Sequence, residues 1–479
     1  MASIASDHGI LSELPYDIRQ KILSCLTLRQ RAIASLVSRN WRHMIASLDD
    51  HKLVQTNSTK INCGYCYRYY SYCRCSYRVK PVIKLAADNM SFTECYLFVR
   101  NSLFYMSTDM LESSLLTVLH LKGYCNMEYI GEIKEMSSLK EIYLDSVCIS
   151  PDTFSKIINK CPSIVELTLI HCYGLYSISV PHLNQLKKVH VNCGSRYIQT
   201  IEIQARNMRE FHLFSSLAAP KLDLRACTKL QVLKIDCEYI PFGFPQEISS
   251  VFPCLKSLFL RLCKRPKKFK LLSPELENLT LSDMVDLDDA IIVTPNLRSF
   301  KLIDMVKLPS SSSIVGSRLK EAEIELKYVY ATSKLPGLRT FAENWGEILT
   351  FSLTVESKEV IFHSSNHGSN DIRPLCIKHI NLDIHFYGAS RYKSLVDELF
   401  SYFHPQTLLV RVNSDVLKHN FIQVLLDELV KGRKKCGKWY KYCKSNYMRW
   451  CYFLKDFKIL ESTARQGVNQ FIRLEFQWC

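Results

Sequence analysis

Cys63-Gly-Tyr-Cys66 and Cys73-Arg-Cys75 bring four thiols into one short stretch. A Cys-x-x-Cys pair has the spacing that lets two thiolates reach one zinc ion, and the second pair is one residue short of it. Tyr65, Tyr67, Tyr69, Tyr70 and Tyr72 interleave with them, as in an alternating, strand-like segment with reduced thiols. The expectation is no bound metal, with Cys63, Cys66, Cys73 and Cys75 as the candidate ligands. The run Lys264-Arg265-Pro266-Lys267-Lys268-Phe269-Lys270 suits either a nuclear import receptor or a solvated return loop. Residues 431–458 carry ten Lys/Arg against Asp456 alone, beside Trp439, Tyr440, Tyr442, Tyr447 and Trp450. Such a mixture could stack bases and hold phosphates, but no recognised nucleic-acid fold accompanies it.

Catalytic signatures are missing from the sequence. It has no G-x-G-x-x-G, no G-K-[ST] phosphate loop, no H-E-x-x-H and no G-x-S-x-G. Its 14 histidines are scattered. The chain is therefore expected to be neither an enzyme nor a cofactor binder. Lys and Arg outnumber Asp and Glu by 62 to 46, a net charge of +16, which suits an acidic partner. The first residues, MASIASDHGI, lack the basic and apolar stretches of a secretory signal. No run approaches the eighteen or so apolar residues that span a bilayer. A soluble intracellular protein, nuclear or cytoplasmic, is expected, so the Asn-x-Ser/Thr triplets at Asn57, Asn89 and Asn278 carry no weight, and most of the 20 cysteines should be thiols.

Two kinds of element must position whatever binds. The first is helical. In residues 11–45, Pro15 suits a helix start, and Ile18, Ile22, Cys25 and Leu26 form an apolar stripe. Leu36, Val37, Trp41 and Ile45 repeat it after a break at Thr27. So small an apolar segment cannot close its own core and needs a partner.

The second is a repeat, which a chain of 479 residues can accommodate. The pattern apolar-x-x-apolar-x-apolar recurs from Leu139/Ile142/Leu144 to Leu319/Ala322/Ile324, with a looser copy at Leu116/Leu119/Leu121 and starts 21 to 25 residues apart. The last two apolar residues of each unit face one side of a short strand. About 15 residues remain for an irregular or short helical return. Ten stacked strands would make a curved sheet roughly 45 Å long. Its open face would carry Tyr143, Thr168, His190, His212, Lys234, Phe259, Thr280, Lys301 and Glu323. Two residues further along come Asp145, Ile170, Asn192, Phe214, Asp236, Arg261, Ser282, Ile303 and Glu325. Aromatics beside charges anchor protein interfaces, so Tyr143, His190, His212, Phe214, Lys234, Phe259, Arg261 and Lys301 are the candidate target contacts.

Beyond residue 330 the pattern loosens. Leu338/Phe341 meets a polar Glu343, and Ile377/Ile380/Leu382, Leu454/Phe457/Ile459 and Phe471/Leu474/Phe476 match again. Leu395, Val396, Leu399, Phe400 and Phe403 suggest one helix, and 416–432 a second. Longer strand–helix units are expected to cap the array.

Leu14-Pro15, Ile22-Leu23, Leu36-Val37-Ser38-Arg39 and Trp41-Arg42 together resemble an F-box. The repeat resembles leucine-rich repeats, in which Asn or Cys follows the strand. Cys172 and Cys263 stand eight residues after their unit's start, and Cys125, Cys148, Cys193 and Cys237 within one residue of that place. In this order the two parts look like a plant-type F-box/leucine-rich-repeat protein. The resemblance implies an α/β fold, a small helical F-box followed by a horseshoe-like parallel-sheet solenoid. It divides the chain into a flexible 1–9, an F-box at 10–48, a Cys/Tyr-rich connection at 49–110, regular repeats at 111–345 and a capping region at 346–479. It also implies a substrate receptor of a Skp–cullin–F-box ubiquitin ligase. Leu14, Pro15, Ile18, Ile22, Leu23, Leu36, Val37 and Trp41 would then pack the F-box or touch a Skp-type adaptor, and the solenoid would hold a protein target. The competing readings are a non-degradative scaffold, a hormone-type small-molecule receptor in the same complex, and a nucleic-acid binder.

Overall fold

The computed structural model describes residues 52–54, 94–106 and most of 111–326, 343–355, 374–385, 389–412, 421–433, 449–462 and 470–479, preceded by Ile18 and Ile22. The other F-box residues and the Cys63–Cys75 cluster lie outside the described residues. Two compact units are present, Met1–His190 and Val191–Cys479.

In the first unit, β1 (Lys52–Val54), β2 (Glu94–Tyr105), β3 (Val118–Asn126), β4 (Glu141–Asp145) and β5 (Glu166–Ile170) form one parallel ladder in sequence order. The six-residue pattern builds it. Leu119, Ile142 and Leu167 stand in register, as do Leu121, Leu144 and Leu169, and all are buried. Burying each contributes roughly 1.5–3 kcal/mol, a stabilisation no single unit could sustain without neighbours. Strand β6 (Ser177–Val180) follows, and β7 (Lys188–Gly194) begins in this unit and ends in the next. The return after β4 is the helix α1 (Pro151–Asn159), which has proline in its first turn and buries Phe154, Ile157 and Ile158. The Thr153 N–H donates to Ser150 Oγ at 3.2 Å, a side-chain cap. Ser150→Ala is expected to cost about 1 kcal/mol, measurable as a lower urea midpoint at unchanged slope.

The second unit continues the device. Strands β8 (Thr200–Ile203), β9 (Glu210–Ser215), β10 (Lys221–Asp223) and β11 (Val232–Cys237) come first. The short helix α2 (Ile248–Val251) precedes β12 (Ser257–Leu262), β13 (Lys268–Leu272), β14 (Asn278–Ser282) and β15 (Asp289–Val293). Then come β16 (Ser299–Met305), β17 (Ser311–Val315), β18 (Glu321–Leu326), β19 (Leu349–Val355) and β20 (Leu375–Ile384). The main sheet runs β9, β11, β12, β14, β16, β18, β19, β20, all parallel.

The returns at α1 and α2 are helical as expected, but others correct the expectation of irregular or helical connections. Pairs β8–β10 and β13–β15–β17 make further parallel ladders. Their sequences alternate, with Phe269 and Leu271, and Ala290 and Ile292, buried, and that period of two builds strands. Lys268 and Lys270 thus stand exposed on β13 rather than in a loop.

Strand exits share a conformation. Ser146, His171, Asp283 and Asp304 each lie seven residues after their unit's start and have φ of 62°, 50°, 53° and 58°. This left-handed region is tolerated best by short polar residues. Nearby thiols are structural, as expected: Cys125, Cys172, Cys193 and Cys237 are buried and Cys148 is half-buried, while Cys263 lies outside the described residues. Burial pushes the thiols of Cys125, Cys193 and Cys237 up to about 12, so they are poor nucleophiles.

The end of the chain departs from the expected units. Helix α3 (Ala389–Tyr402) leads into β21 (Phe403–Val412), so Phe403 opens a strand instead of closing a helix face. Helix α4 (Phe421–Arg433) follows at the expected second helix, and a 3-10 turn (Arg449–Tyr452) precedes β22 (Leu454–Ser462) and β23 (Gln470–Trp478). Strand β23 pairs antiparallel with both β21 and β22. These last strands are therefore not repeat units, and Ile459 is 52% exposed. Glu343 is exposed and helical rather than in the strand expected of the Leu338/Phe341/Glu343 unit, and Leu338 and Phe341 lie outside the described residues. The strand that follows is β19, with Leu349, Phe351, Leu353 and Val355 buried. Trp450 is fully buried, which removes it from any nucleic-acid-binding set. Trp439, Tyr440, Tyr442 and Tyr447 lie outside the described residues.

Candidate target-binding surface

Of the candidate adaptor contacts, Ile18 and Ile22 are described. Both are helical, four residues apart and hence on one helix face, with Ile18 45% exposed and Ile22 half-buried. Leu14, Pro15, Leu23, Leu36, Val37 and Trp41 fall outside the described residues.

The strands place the other candidates on the open face of each unit. In the first unit His120, Tyr143 and Thr168 stand in register. His120 Nε2 lies 2.7 Å from Glu141 Oε1, and its ring centroid 5.1 Å from that of Tyr143. Lys122 Nζ contacts Asp145 Oδ2 at 2.9 Å, and this hydrogen bond raises the lysine pKa. Burial, then the Asp145 charge, raises that of the Tyr143 hydroxyl. His190, at the end of this unit, is half-buried.

In the second unit His212, Lys234, Phe259, Thr280, Lys301 and Glu323 follow one another in register. Phe214, Asp236, Arg261, Ser282 and Ile303 form the row beside them. The two rows are less open than the sequence suggests. Lys234 is exposed, whereas Tyr143, His212, Phe214, Phe259, Arg261 and Lys301 are half-buried, and Asp145 and Ser282 are buried. Strands about 4.8 Å apart cover one another's side chains. Lys301 Nζ meets Glu323 Oε2 at 2.8 Å, which raises the lysine pKa. Arg261 is bracketed by Asp236 and Asp283, each 3.7 Å away. Burial raises the Asp236 carboxyl against the opposing pull of Arg261.

Sequence reasoning missed two parts of this surface. Asp283 reaches Arg261 from a left-handed strand exit, and a polar residue seven places after the unit start was its signal. The rows also continue past the regular repeats, through Thr350, His379 and Thr407, and through Ser352, Asn381 and Leu409. His379 Nδ1 lies 2.5 Å from Thr407 Oγ1, and the Asn381 amide donates to Ser352 Oγ at 3.1 Å. Among the described residues, no group of three or more His, Cys, Asp or Glu could hold a metal ion, and no helix is long and apolar enough to cross a membrane.

Comparison with known proteins adds three findings. A family model described as F-box domain matches residues 11–53. A second, described as At1g61320/AtMIF1, LRR domain, matches residues 76–265. The Arabidopsis thaliana F-box/LRR-repeat protein At3g18150 is 25% identical over 200 residues, covering 38% of this chain. The match spans about two fifths of that relative's length, 42%.

Proposed function

For a chain that is a plant-type F-box/leucine-rich-repeat protein, we propose the role of substrate receptor in a Skp–cullin–F-box ubiquitin ligase. The observation that carries it is the order of parts, an F-box match at 11–53 ahead of stacked parallel repeat strands. F-box domains bind Skp-type adaptors. The receptor needs no catalytic residue, because it raises the effective concentration of a target near a charged ubiquitin carrier. Tyr143 and His190 on the first unit, and His212, Phe214, Lys234, Phe259, Arg261 and Lys301 on the second, are the proposed target contacts. The proposed place of action is the nucleus or cytoplasm.

Leu14→Ala combined with Pro15→Ala is expected to abolish adaptor pull-down while the circular dichroism of the repeats stays unchanged. Adaptor binding retained by this variant would sink the assignment. Degradation is tested separately by blocking the proteasome. A protein that co-purifies with both the wild type and this adaptor-blind variant, held by the repeats, should accumulate when the proteasome is blocked. A co-purified protein whose level stays constant would mark a scaffold instead.

A further inference from the structure

The bonds that stack the strands also stack the residue leading into each of them. In the second unit these residues are Arg209, Gln231, Lys256, Glu277, Arg298 and Lys320. Each carbonyl from Arg209 to Arg298 accepts two N–H groups from the next repeat. That of Arg209 takes Gln231 and Val232 at 2.8 and 2.9 Å, and that of Lys256 takes Glu277 and Asn278 at 2.8 and 2.9 Å. The carbonyl of Arg298 takes Lys320 and Glu321 at 2.8 and 3.1 Å. The result is a column with one rung per strand, roughly 24 Å from Arg209 to Lys320 at about 4.8 Å per strand.

Arg209, Lys256, Arg298 and Lys320 are all exposed, and so are Arg206 and Arg318 in the turns just before two of them. Lys256 and Arg298 reach one half-buried acid, Glu277, from either side at 3.6 and 3.5 Å. The open face contrasts with this edge. There Lys301 has its own carboxylate and Arg261 has two. Against these six cations stand Glu277 and the exposed turn residue Glu275, so positive charge is in excess along the strand-start edge and its acids fall together in one repeat.

We propose that this edge docks an acidic polypeptide segment of a partner protein, with its carboxylates in two blocks separated by a neutral stretch. Charge complementarity selects an anionic partner, and Glu277 selects its pattern. A uniform polyanion such as single-stranded nucleic acid would set a phosphate against Glu277 at the centre. A polypeptide can leave that place neutral. About seven extended residues cover the column at roughly 3.4 Å each. The surface is distinct from the proposed target contacts and stands whether or not they hold a target.

The test uses the full chain and fluorescence anisotropy with two probes, a labelled peptide of two tetraglutamate blocks joined by Ser-Gly and a labelled oligo-dT. Arg209→Glu, Arg298→Glu and Lys320→Glu together are expected to weaken the peptide at least tenfold. The control Lys221→Glu, Lys268→Glu and Lys270→Glu makes the same charge change on exposed residues of the return strands and should weaken it less than threefold. Equal losses in the two variants would reduce the effect to net charge and overturn the proposal, as would no loss in the first. Tighter binding of oligo-dT than of peptide by the wild type, lost in the first variant, would overturn the choice of partner class.

Discussion

Trp450→Ala is expected to cost the second unit roughly 3–5 kcal/mol, the usual range for emptying a buried tryptophan site. Trp450 is fully buried, with its ring 5.1 Å from that of Phe400, and Phe400 in turn meets Phe476 at 5.4 Å and Trp478 at 5.7 Å. Its indole N–H donates to Asp397 Oδ1 at 3.0 Å in the interior. Truncation therefore opens a cavity and also removes a donor from a carboxylate that is only 5% exposed. Helix α4 is fitted to the same ring, since a Cβ at Gly432 would stand 2.9 Å from Trp450 Cζ3. The measurement is a urea titration followed by far-ultraviolet circular dichroism. A loss below about 1 kcal/mol would mean that the ring is not buried as described and would restore it as a nucleic-acid contact.

How much of this was legible in the sequence follows from the range of the interactions. The stacked strands were legible because Leu139/Ile142/Leu144 and the units after it repeat within the length of one turn of the solenoid. Each unit then meets a copy of itself, so local pattern and long-range contact coincide. The inward position of Leu258, Leu279 and Phe300 follows from that alone. The end of the chain lacks this redundancy. Phe471, Leu474 and Phe476 fit the repeat on paper, yet Ile472, Leu474 and Phe476 are the buried set, in an antiparallel strand. Alternation reads the same in either direction, so strand polarity was not recoverable. The open face was half legible. Register put His212, Lys234 and Phe259 side by side as expected, but Asp283 joins Arg261 from a strand exit whose left-handed backbone no periodicity reports.

Acidification is expected to weaken the same C-terminal aromatic core through His404. Its ring stacks on that of Trp478 at 4.0 Å with 1° between the planes, and lies 5.6 Å from that of Phe453. Its Nε2 is buried without a hydrogen-bond partner among the described residues. Burial pushes the imidazole down from 6.5 to about 4, because a charged ring there would lose water and gain nothing. Between those values the unfolded chain binds the extra proton and the folded one does not. The stability His404 contributes is therefore complete above pH 6.5 or so and is lost as the pH falls through that window toward 4. The full loss is roughly 3 kcal/mol, at 1.36 kcal/mol per pKa unit. His404→Phe keeps a flat ring on Trp478 and has no proton to bind. The difference in unfolding free energy between wild type and this variant, measured at pH 7.5, 6, 5 and 4.5, isolates His404 from the carboxylates that titrate in both. It should shift steadily against the wild type over that series. A constant difference would mean that the imidazole charges freely in the folded protein, and hence that Trp478 does not seal it from water.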